Sequence, residues 1–474
     1  MLDHDFLVLG GGTGNAVAAA AADAGLDTGL VERGRLGGTC LNRGCNPSKK
    51  LIHRADVAES VRTAGGLGID AGIDDIAFSD IVDDVAEAIT AKAERMAREA
   101  RERAGLTLYR AEGRFVDERT VEVERGDGSD GDGDDDDGDT ERLTAETVVL
   151  AGGSRPTVPD SIDGTDETPY LTSDEALWLD ALPDRLVVVG GGYIAVELGH
   201  FFSEMGSEVT IVGSGDTLLD REDRDVAERL TEAYRESHDL RLGYRATEIG
   251  DEGGERVVTA ESEGGETVEV RGDRLLLATG RRPNSDQWHV DAAGIDTDEQ
   301  GFVETDEYLR ASVDGVYAMG DIAGNYAFKH SGDKEAEYVV ENAVHGNERA
   351  VEYPGMAHAV FGSPQVASLG KTEREVSDAR AYEVGTCAYD DTALGSALRD
   401  EGGFAKAIVG ADGEVLGCHV VGPEASTMIH EVSTAVTAGA DAETIAETIH
   451  VHPAISEVVQ GAFRDACGVG LPGL

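Results

Sequence analysis

Residues 6–14 read Phe6-Leu7-Val8-Leu9-Gly10-Gly11-Gly12-Thr13-Gly14, a short apolar run that stops abruptly in glycines. An alanine-rich segment to Ala24 follows, then Gly25, then a second apolar stretch ending Leu30-Val31-Glu32. Strand, glycine turn, helix and strand in that order open a dinucleotide-binding βαβ unit. In such a turn Gly10, Gly12 and Gly14 let the backbone bend tightly and approach a pyrophosphate, which rests on the N-terminus of the helix that follows. Glu32 ends the second strand 20 residues after Gly12, where a carboxylate accepts from both ribose hydroxyls. One departure is Asn15, which occupies the place of the usual third glycine.

The pattern recurs some 180 residues later. Leu186-Val187-Val188-Val189 leads into Gly190-Gly191-Gly192-Tyr193-Ile194-Ala195, a helix expected through about Met205, and Val209-Thr210-Ile211-Val212. Two Rossmann-type units in one chain imply two nucleotides. After Val212 come Gly213-Ser214-Gly215, with no acid in the position of Glu32. A missing carboxylate removes repulsion against a 2′-phosphate and Ser214 can hydrogen-bond one, so the reading favours NADPH over NADH. No arginine stands at 213–215; Arg221 and Arg224 follow. Residues Ile81 to Ala104 read as a long helix inserted in the first unit. The tail from 351 mixes strands with helices near 424–438 and 453–466, and it carries no glycine fingerprint. The expected fold class is α/β: a first dinucleotide-binding domain at 1–155 completed by 281–350, a second at 156–280, and a C-terminal α+β domain at 351–474.

Residues 126–139 read GDGSDGDGDDDDGD and suggest a solvated, disordered hairpin insertion between Thr120–Glu124 and Thr147–Leu150. Asp130, Asp132, Asp134 and Glu141 fall at positions 1, 3, 5 and 12 of a calcium-loop template. Asp135 stands where that loop needs glycine, and no helices flank it, so no metal is expected there.

The chain holds 474 residues with 94 acids against 40 bases, a formal charge of −54 and a pI near 4.3. Only seven of the bases are lysine. Such a surface argues against sequence-independent nucleic-acid binding, which needs Lys and Arg. With 40% apolar residues the chain is nonetheless no disordered acid. No apolar run approaches the length of a membrane span, and Met1-Leu2-Asp3-His4-Asp5 lacks the basic start of a signal peptide. At ordinary ionic strength this charge density destabilises the fold through self-repulsion. At about 1 M salt the Debye length shrinks to about 3 Å and the repulsion is largely removed. The composition therefore points to a cytoplasmic protein of a halophile.

Five cysteines in this length exclude a disulfide-stapled secreted scaffold. Two of them fall in Gly37-Gly38-Thr39-Cys40-Leu41-Asn42-Arg43-Gly44-Cys45-Asn46-Pro47-Ser48-Lys49. Pro47 suits the first turn of a helix, which puts Cys45 near a helix N-terminus, where a thiolate is stabilised. The pair can close a disulfide across the turn, ligate a metal, or stay as inert thiols. Zinc would want four ligands, and no second cysteine pair or nearby His–Cys cluster supplies them. An exchangeable disulfide is the better reading. Cys387, Cys418 and Cys467 read as inert small hydrophobes.

These motifs together resemble the class I pyridine nucleotide–disulfide oxidoreductases, the flavoprotein family of glutathione reductase, dihydrolipoyl dehydrogenase, mercuric reductase and mycothione reductase. The resemblance runs through the Gly10 turn, Cys40-x4-Cys45, Ala151-Gly152-Gly153, the Gly190–Glu197 run, Ala278-Thr279-Gly280-Arg281-Arg282-Pro283-Asn284, Met319-Gly320-Asp321 and His452-Pro453-x3-Glu457. Only the 126–139 tract falls outside it. Ala151-Gly152-Gly153 departs from the usual Ala-Thr-Gly. The resemblance implies FAD in the first Rossmann unit, touching Thr39 and, through its ribityl chain, Asp321. It implies the nicotinamide cofactor in the second unit, with Tyr193 covering the empty nicotinamide pocket and Gly280 close by. Cys40 would be the interchange thiol and Cys45 the charge-transfer thiol beside the flavin. Lys49 and Glu197 match the family's ion pair near the flavin. His452, oriented by Glu457, would be the acid–base that protonates the leaving thiol, with His450 as packing or support. The resemblance further implies a homodimer in which His452 serves Cys40 of the other subunit.

Which disulfide is reduced rests on thinner signals. Asn325-Tyr326-Ala327-Phe328-Lys329-His330 and Asn15 look more like mycothione reductase, and the Tyr193–Glu197 run resembles glutathione reductase. Arg43 and Arg54, with His53, flank the redox helix, where uncharged lipoamide would need no cations. The halophile composition then suggests bis-γ-glutamylcystine as the small-molecule substrate. The alternative is an NAD-linked dihydrolipoyl dehydrogenase, which would place an acid where Gly213 stands. Mercuric reductase would want a vicinal C-terminal cysteine pair, which solitary Cys467 does not supply.

Overall fold

The computed structural model describes residues 2–125, 140–377, 381–399 and 402–470. The readings made for the 126–139 tract lie outside the described residues. The chain divides into two compact units, one built from Met1–Ser48, Val82–Thr157 and Gly280–Glu352, the other from Lys49–Ile81, Val158–Thr279 and Tyr353–Leu474.

The first unit is organised on strand His4–Leu9. Thr28–Val31 lies parallel on one side and the end of Thr140–Leu150 on the other, with Leu9 in register with both Val31 and Leu150. Leu106–Tyr109 extends the sheet beyond Thr28–Val31, and Val316–Ala318 pairs parallel with Val148–Leu150. Five strands therefore end on one edge, at Leu9, Val31, Tyr109, Leu150 and Ala318, and four of them release Gly10, Glu32, Ala151 and Met319 there. Ligands of doubly wound sheets bind at that carboxyl edge. The beginning of Thr140–Leu150 pairs antiparallel with Thr120–Arg125, which pairs with Ala111–Asp117.

Both faces of the parallel part are covered, so Phe6–Leu9 and Val148–Leu150 run apolar at consecutive positions rather than alternately. Phe6, Val8, Leu30 and Val149 pack with Val17, Ala18 and Ala21 of helix Gly14–Asp23. Leu7, Leu9, Val31, Val148 and Leu150 face Phe115, Val121, Val290 and Ile322. Small alanines on the helix face let it approach the sheet closely, which keeps its N-terminus near the strand ends.

The second unit repeats the motif. Arg185–Val189 lies between Glu208–Gly213 and Arg274–Leu277 in a parallel sheet, and Asp239–Leu242 adds an edge. Val189 is in register with Val212 and Leu277, again aligning the carboxyl ends. The strand expected to stop at Val212 continues through Gly213. A separate five-stranded antiparallel sheet, ordered 357–360, 366–370, 415–421, 404–410 and 382–388, carries helices Ala425–Thr437, Ala442–Glu447 and Glu457–Cys467.

Two expected helices shift. The inserted helix runs Phe78–Glu102 rather than from Ile81 to Ala104. The last helix starts at Glu457, not at Pro453, and the His452–Pro453 bond is cis. His452 thus precedes the helix by a short irregular segment instead of standing immediately before it.

Candidate active site

The two glycine turns are built alike. Gly10 has φ +106°, and a Cβ there would lie 2.2 Å from the Ala151 carbonyl oxygen; Gly190 has φ +131°, with a Cβ 2.2 Å from the Ala278 carbonyl oxygen. Only glycine tolerates both the left-handed backbone and that approach. The hydrogen bonds match as well. Gly10 N–H donates to Val31 O (2.9 Å) and Gly190 N–H to Val212 O (2.8 Å), while Ala151 and Ala278 N–H donate to Leu9 O and Val189 O, each at 2.8 Å. Gly12 and Gly14 continue the first turn into its helix. Gly192 caps helix Tyr193–Met205, whose first residues are Tyr193, 45% exposed, and Ile194.

The chemistry of the two turns differs at the second strand. Glu32 accepts from Gly11 N–H and Gly34 N–H, both at 2.7 Å, so its carboxylate is fixed beside the first turn. Its counterpart in the second unit is followed by exposed Ser214. Beyond it, Arg224 is brought back to the loop, donating to Asp216 at 2.9 Å and to Glu228 at 2.5 Å. The Arg224 guanidinium thus returns to Asp216, two residues after Ser214, and is already paired with acids.

Also on the first unit's carboxyl edge, Ser154 Oγ donates to Asp321 Oδ2 at 2.5 Å and accepts from Arg281 Nε at 2.9 Å. Gly320 N–H donates to the fully buried Glu335 at 2.6 Å, holding the turn that carries Asp321. Gly280 has φ +110° and accepts from Thr157 N–H at 2.9 Å. The close-packed glycine turn, the fixed Glu32 carboxylate and the braced Asp321 suit a dinucleotide at this edge: turn amides for pyrophosphate, carboxylates for hydroxyls.

Helix Gly38–Asn42 follows the glycine pair at 37–38, and Gly38 packs against Gly12, where a Cβ would meet the Gly12 Cα at 2.7 Å. This contact sets Thr39 and Cys40 next to the dinucleotide turn. Cys45 is the first residue of helix Cys45–Thr63, as Pro47 implied. All five cysteines are thiols. The Cys40 thiol is lowered to about 6: its hydrogen bond with Cys45 is the main cause, burial opposes, and Lys329 and the Asn46 amide assist. The three thiols outside the pair move the other way. Burial pushes Cys387 up to about 11 and also raises Cys418 and Cys467. Only the thiolate reacts, so Cys40 alone among these four is ready near neutrality.

In the second unit Lys49 Nζ donates to both oxygens of Glu197, at 2.7 and 2.6 Å. Phe361 N–H donates to the same carboxylate at 3.1 Å, and the Phe361 ring lies under the ammonium, 4.7 Å from its centroid. Glu197 is 5% exposed, so its charge stays buried only because it is paired. Further along the same two helices Asp56 accepts from His200 at 3.1 Å. Arg43 is exposed and Arg54 half-buried, with an Nη1 donating to Lys50 O at 3.3 Å.

His452 Nδ1 lies 2.9 Å from Glu457 Oε1, whose other oxygen accepts Ala454 N–H at 2.9 Å. Burial pushes the Glu457 carboxyl up, but the Ala454 amide and His452 outweigh it and hold it below the usual range. A carboxylate on Nδ1 leaves Nε2 as the working nitrogen. The His452 side chain is 70% exposed, beside Ile449 at 97% and Val451 at 77%. His450, by contrast, is buried and held by Glu431 at 3.2 Å.

Comparison with known proteins places this geometry. The pyridine nucleotide-disulphide oxidoreductase family matches residues 4–349, and the dimerisation domain of that family matches 356–463. Dihydrolipoyl dehydrogenase 3 of Haloarcula marismortui is 36% identical over 98% of this chain and 96% of its own. Mycothione reductase of Mycobacterium tuberculosis is 34% identical over 98% of this chain and 99% of its own. Among solved structures, the Cu(II) complex of the HOCl-induced flavoprotein disulfide reductase RclA from Escherichia coli superposes with a TM-score of 0.84 at 25% identity, covering 98% and 99% of the two chains.

Proposed function

Because the chain belongs to the pyridine nucleotide-disulphide oxidoreductase family, and so is a flavin-dependent, homodimeric NAD(P)H–disulfide oxidoreductase, we propose that it reduces a low-molecular-weight disulfide in the cytoplasm of a halophile, with bis-γ-glutamylcystine as substrate and NADPH as donor. The observation that carries the reaction is the lowered Cys40 thiol beside Cys45, on the edge that presents the first dinucleotide turn.

When bound, FAD would supply the redox chemistry that links NAD(P)H to the Cys40–Cys45 disulfide. The rest falls to the chain. Glu32, the Gly10 turn, Thr39 and Asp321 would hold FAD, while Gly190, Gly192, Tyr193, Ile194, Ser214 and Gly280 would serve the nicotinamide nucleotide. By the family resemblance, the Lys49–Glu197 ion pair would serve the flavin. Once the pair is reduced, the Cys40 thiolate attacks the substrate disulfide, forming a mixed disulfide and expelling one thiolate. His452 of the other protomer, oriented by Glu457, gives that thiolate its proton. The Cys45 thiolate then displaces the second substrate thiol from Cys40 and restores the disulfide. One NAD(P)H and one proton thus convert one disulfide to two thiols. The exposed Ile449, Val451 and His452 fit a face that a second protomer covers.

Support for a charged substrate comes from Arg43 and Arg54 around the redox helix, and for NADPH from the missing acid after Val212. A second reading, an NAD-linked dihydrolipoyl dehydrogenase, is favoured by the relatives of that name from Haloarcula marismortui. One steady-state screen in 3 M KCl separates them: NADPH or NADH against bis-γ-glutamylcystine, glutathione disulfide, cystine and lipoamide. The expected result is the highest kcat/KM for NADPH with bis-γ-glutamylcystine. NADH with lipoamide as the best pair would replace the first reading by the second.

A further inference from the structure

Asn46 follows Cys45 directly, as the second residue of helix Cys45–Thr63. Its carboxamide turns back toward Cys40. Nδ2 lies 3.4 Å from Cys40 Sγ and 3.4 Å from the Cys40 carbonyl oxygen. The two amide protons can therefore serve both acceptors of one residue, tying the sulfur to its own backbone. The backbone at Gly44 passes close to the Thr39–Cys40 segment, where a Cβ would lie 3.0 Å from Thr39 O and 3.3 Å from Cys40 Cα.

We propose that Asn46 is a positioning residue for the reaction, its amide aiming the Cys40 sulfur and favouring its thiolate by direct hydrogen bonding. The inference rests on the reading that Cys40 is the attacking thiol. Hydrogen bonding to the charged form of a group favours that form, and an N–H donor gains strength when its acceptor is ionised. The titratable groups facing Cys40 are the hydrogen-bonding Cys45 thiol and the charged Lys329 and Asp333. The last two oppose one another, because Lys329 is ion-paired to Asp333 and Thr13 Oγ1 donates to the same Asp333 oxygen at 3.3 Å. In concentrated salt such longer-range charge effects are screened within about 3 Å, whereas a donor in contact with the sulfur is not. A neutral amide is thus the device suited to a thiolate in that solvent.

The test uses the intact flavoenzyme in 3 M KCl, reduced with NADPH, and follows alkylation of Cys40 by iodoacetamide against pH, read by peptide mass spectrometry. Asn46→Ile removes the donor, and Asn46→Asp keeps the shape but replaces the donor with an anion. Both should raise the alkylation midpoint of Cys40 by about one pH unit or more, Asn46→Asp the further. Flavin content and flavin reduction by NADPH should stay at wild-type levels, while kcat/KM for the disulfide falls. Asn46→Gln, which can return a donor to the sulfur, should recover part of the shift. Midpoints unchanged in both Asn46→Ile and Asn46→Asp would overturn the proposal. If instead Cys40→Ser turned over disulfide normally, the underlying reading of Cys40 would fail, whatever the alkylation midpoints.

Discussion

At the scale of single residues, the cysteines and histidines sort by what surrounds them. Cys40 and Cys418 are the same side chain, yet a thiol donor and an amide lower the first to about 6 while complete burial raises the second. The thiolate of Cys40 is present above about pH 6 and is lost as pH falls below it, so disulfide reduction should decline on the acid side with that midpoint. His452 is distinguished from His450 in the same way. His450 is buried against Glu431, and its Nδ1 lies 2.9 Å from Thr448 O, so both nitrogens are engaged. His452 spends only Nδ1, on Glu457. Replacing His452 by Ala should lower turnover by roughly 10²–10⁴-fold, the span of a general acid, and should leave the rate of flavin reduction by NADPH unchanged in stopped flow. An equal loss in both half-reactions would remove His452 from the proton transfer.

At the scale of elements, the chain uses one construction twice. Parallel strands end in register, a left-handed glycine turns under the next strand's carbonyl, and a small-faced helix begins. What differs is the second strand's end, Glu32 in one unit and the Gly213-Ser214 step in the other. Gly213→Glu should place a carboxylate against a 2′-phosphate. At partly buried separations that repulsion lowers the NADPH-to-NADH ratio of kcat/KM by at least about tenfold; an unchanged ratio would show that the discrimination lies elsewhere. These two turns were legible in the sequence because strand, glycine and helix signals lie within about 30 residues of one another. So was the helix start at Cys45, which Pro47 announces. The contacts that tune the site were not. Asn46 against Cys40, Glu335 on Gly320 and Arg224 on Asp216 depend on side-chain direction and on how separate segments return to one edge. Spacing carries neither. The helix expected at Pro453 begins at Glu457, whose carboxylate holds both His452 and the Ala454 amide.

For the whole molecule, a charge of −54 is distributed so that some arginines bridge two or more acids. Arg271 reaches Glu252 and Glu269, and Arg185 reaches Glu255 and Asp273. Acids still outnumber bases by 54, and their mutual repulsion has to be screened by solvent ions. Relatives from Haloarcula marismortui fit this surface. The melting temperature should therefore rise steadily between 0.1 and 3 M KCl, and undiminished stability at low salt would contradict the assignment of the charge to a saline interior. The charge sets the solvent, while the electrons are proposed to leave through two of the five cysteines. That claim can be counted directly. Titration of thiols in the denatured protein should find three in the oxidised enzyme and five after anaerobic reduction with NADPH, since the chain holds five cysteines and one pair is exchanged. Five thiols in both states would mean that Cys40 and Cys45 never form the redox disulfide on which the account depends.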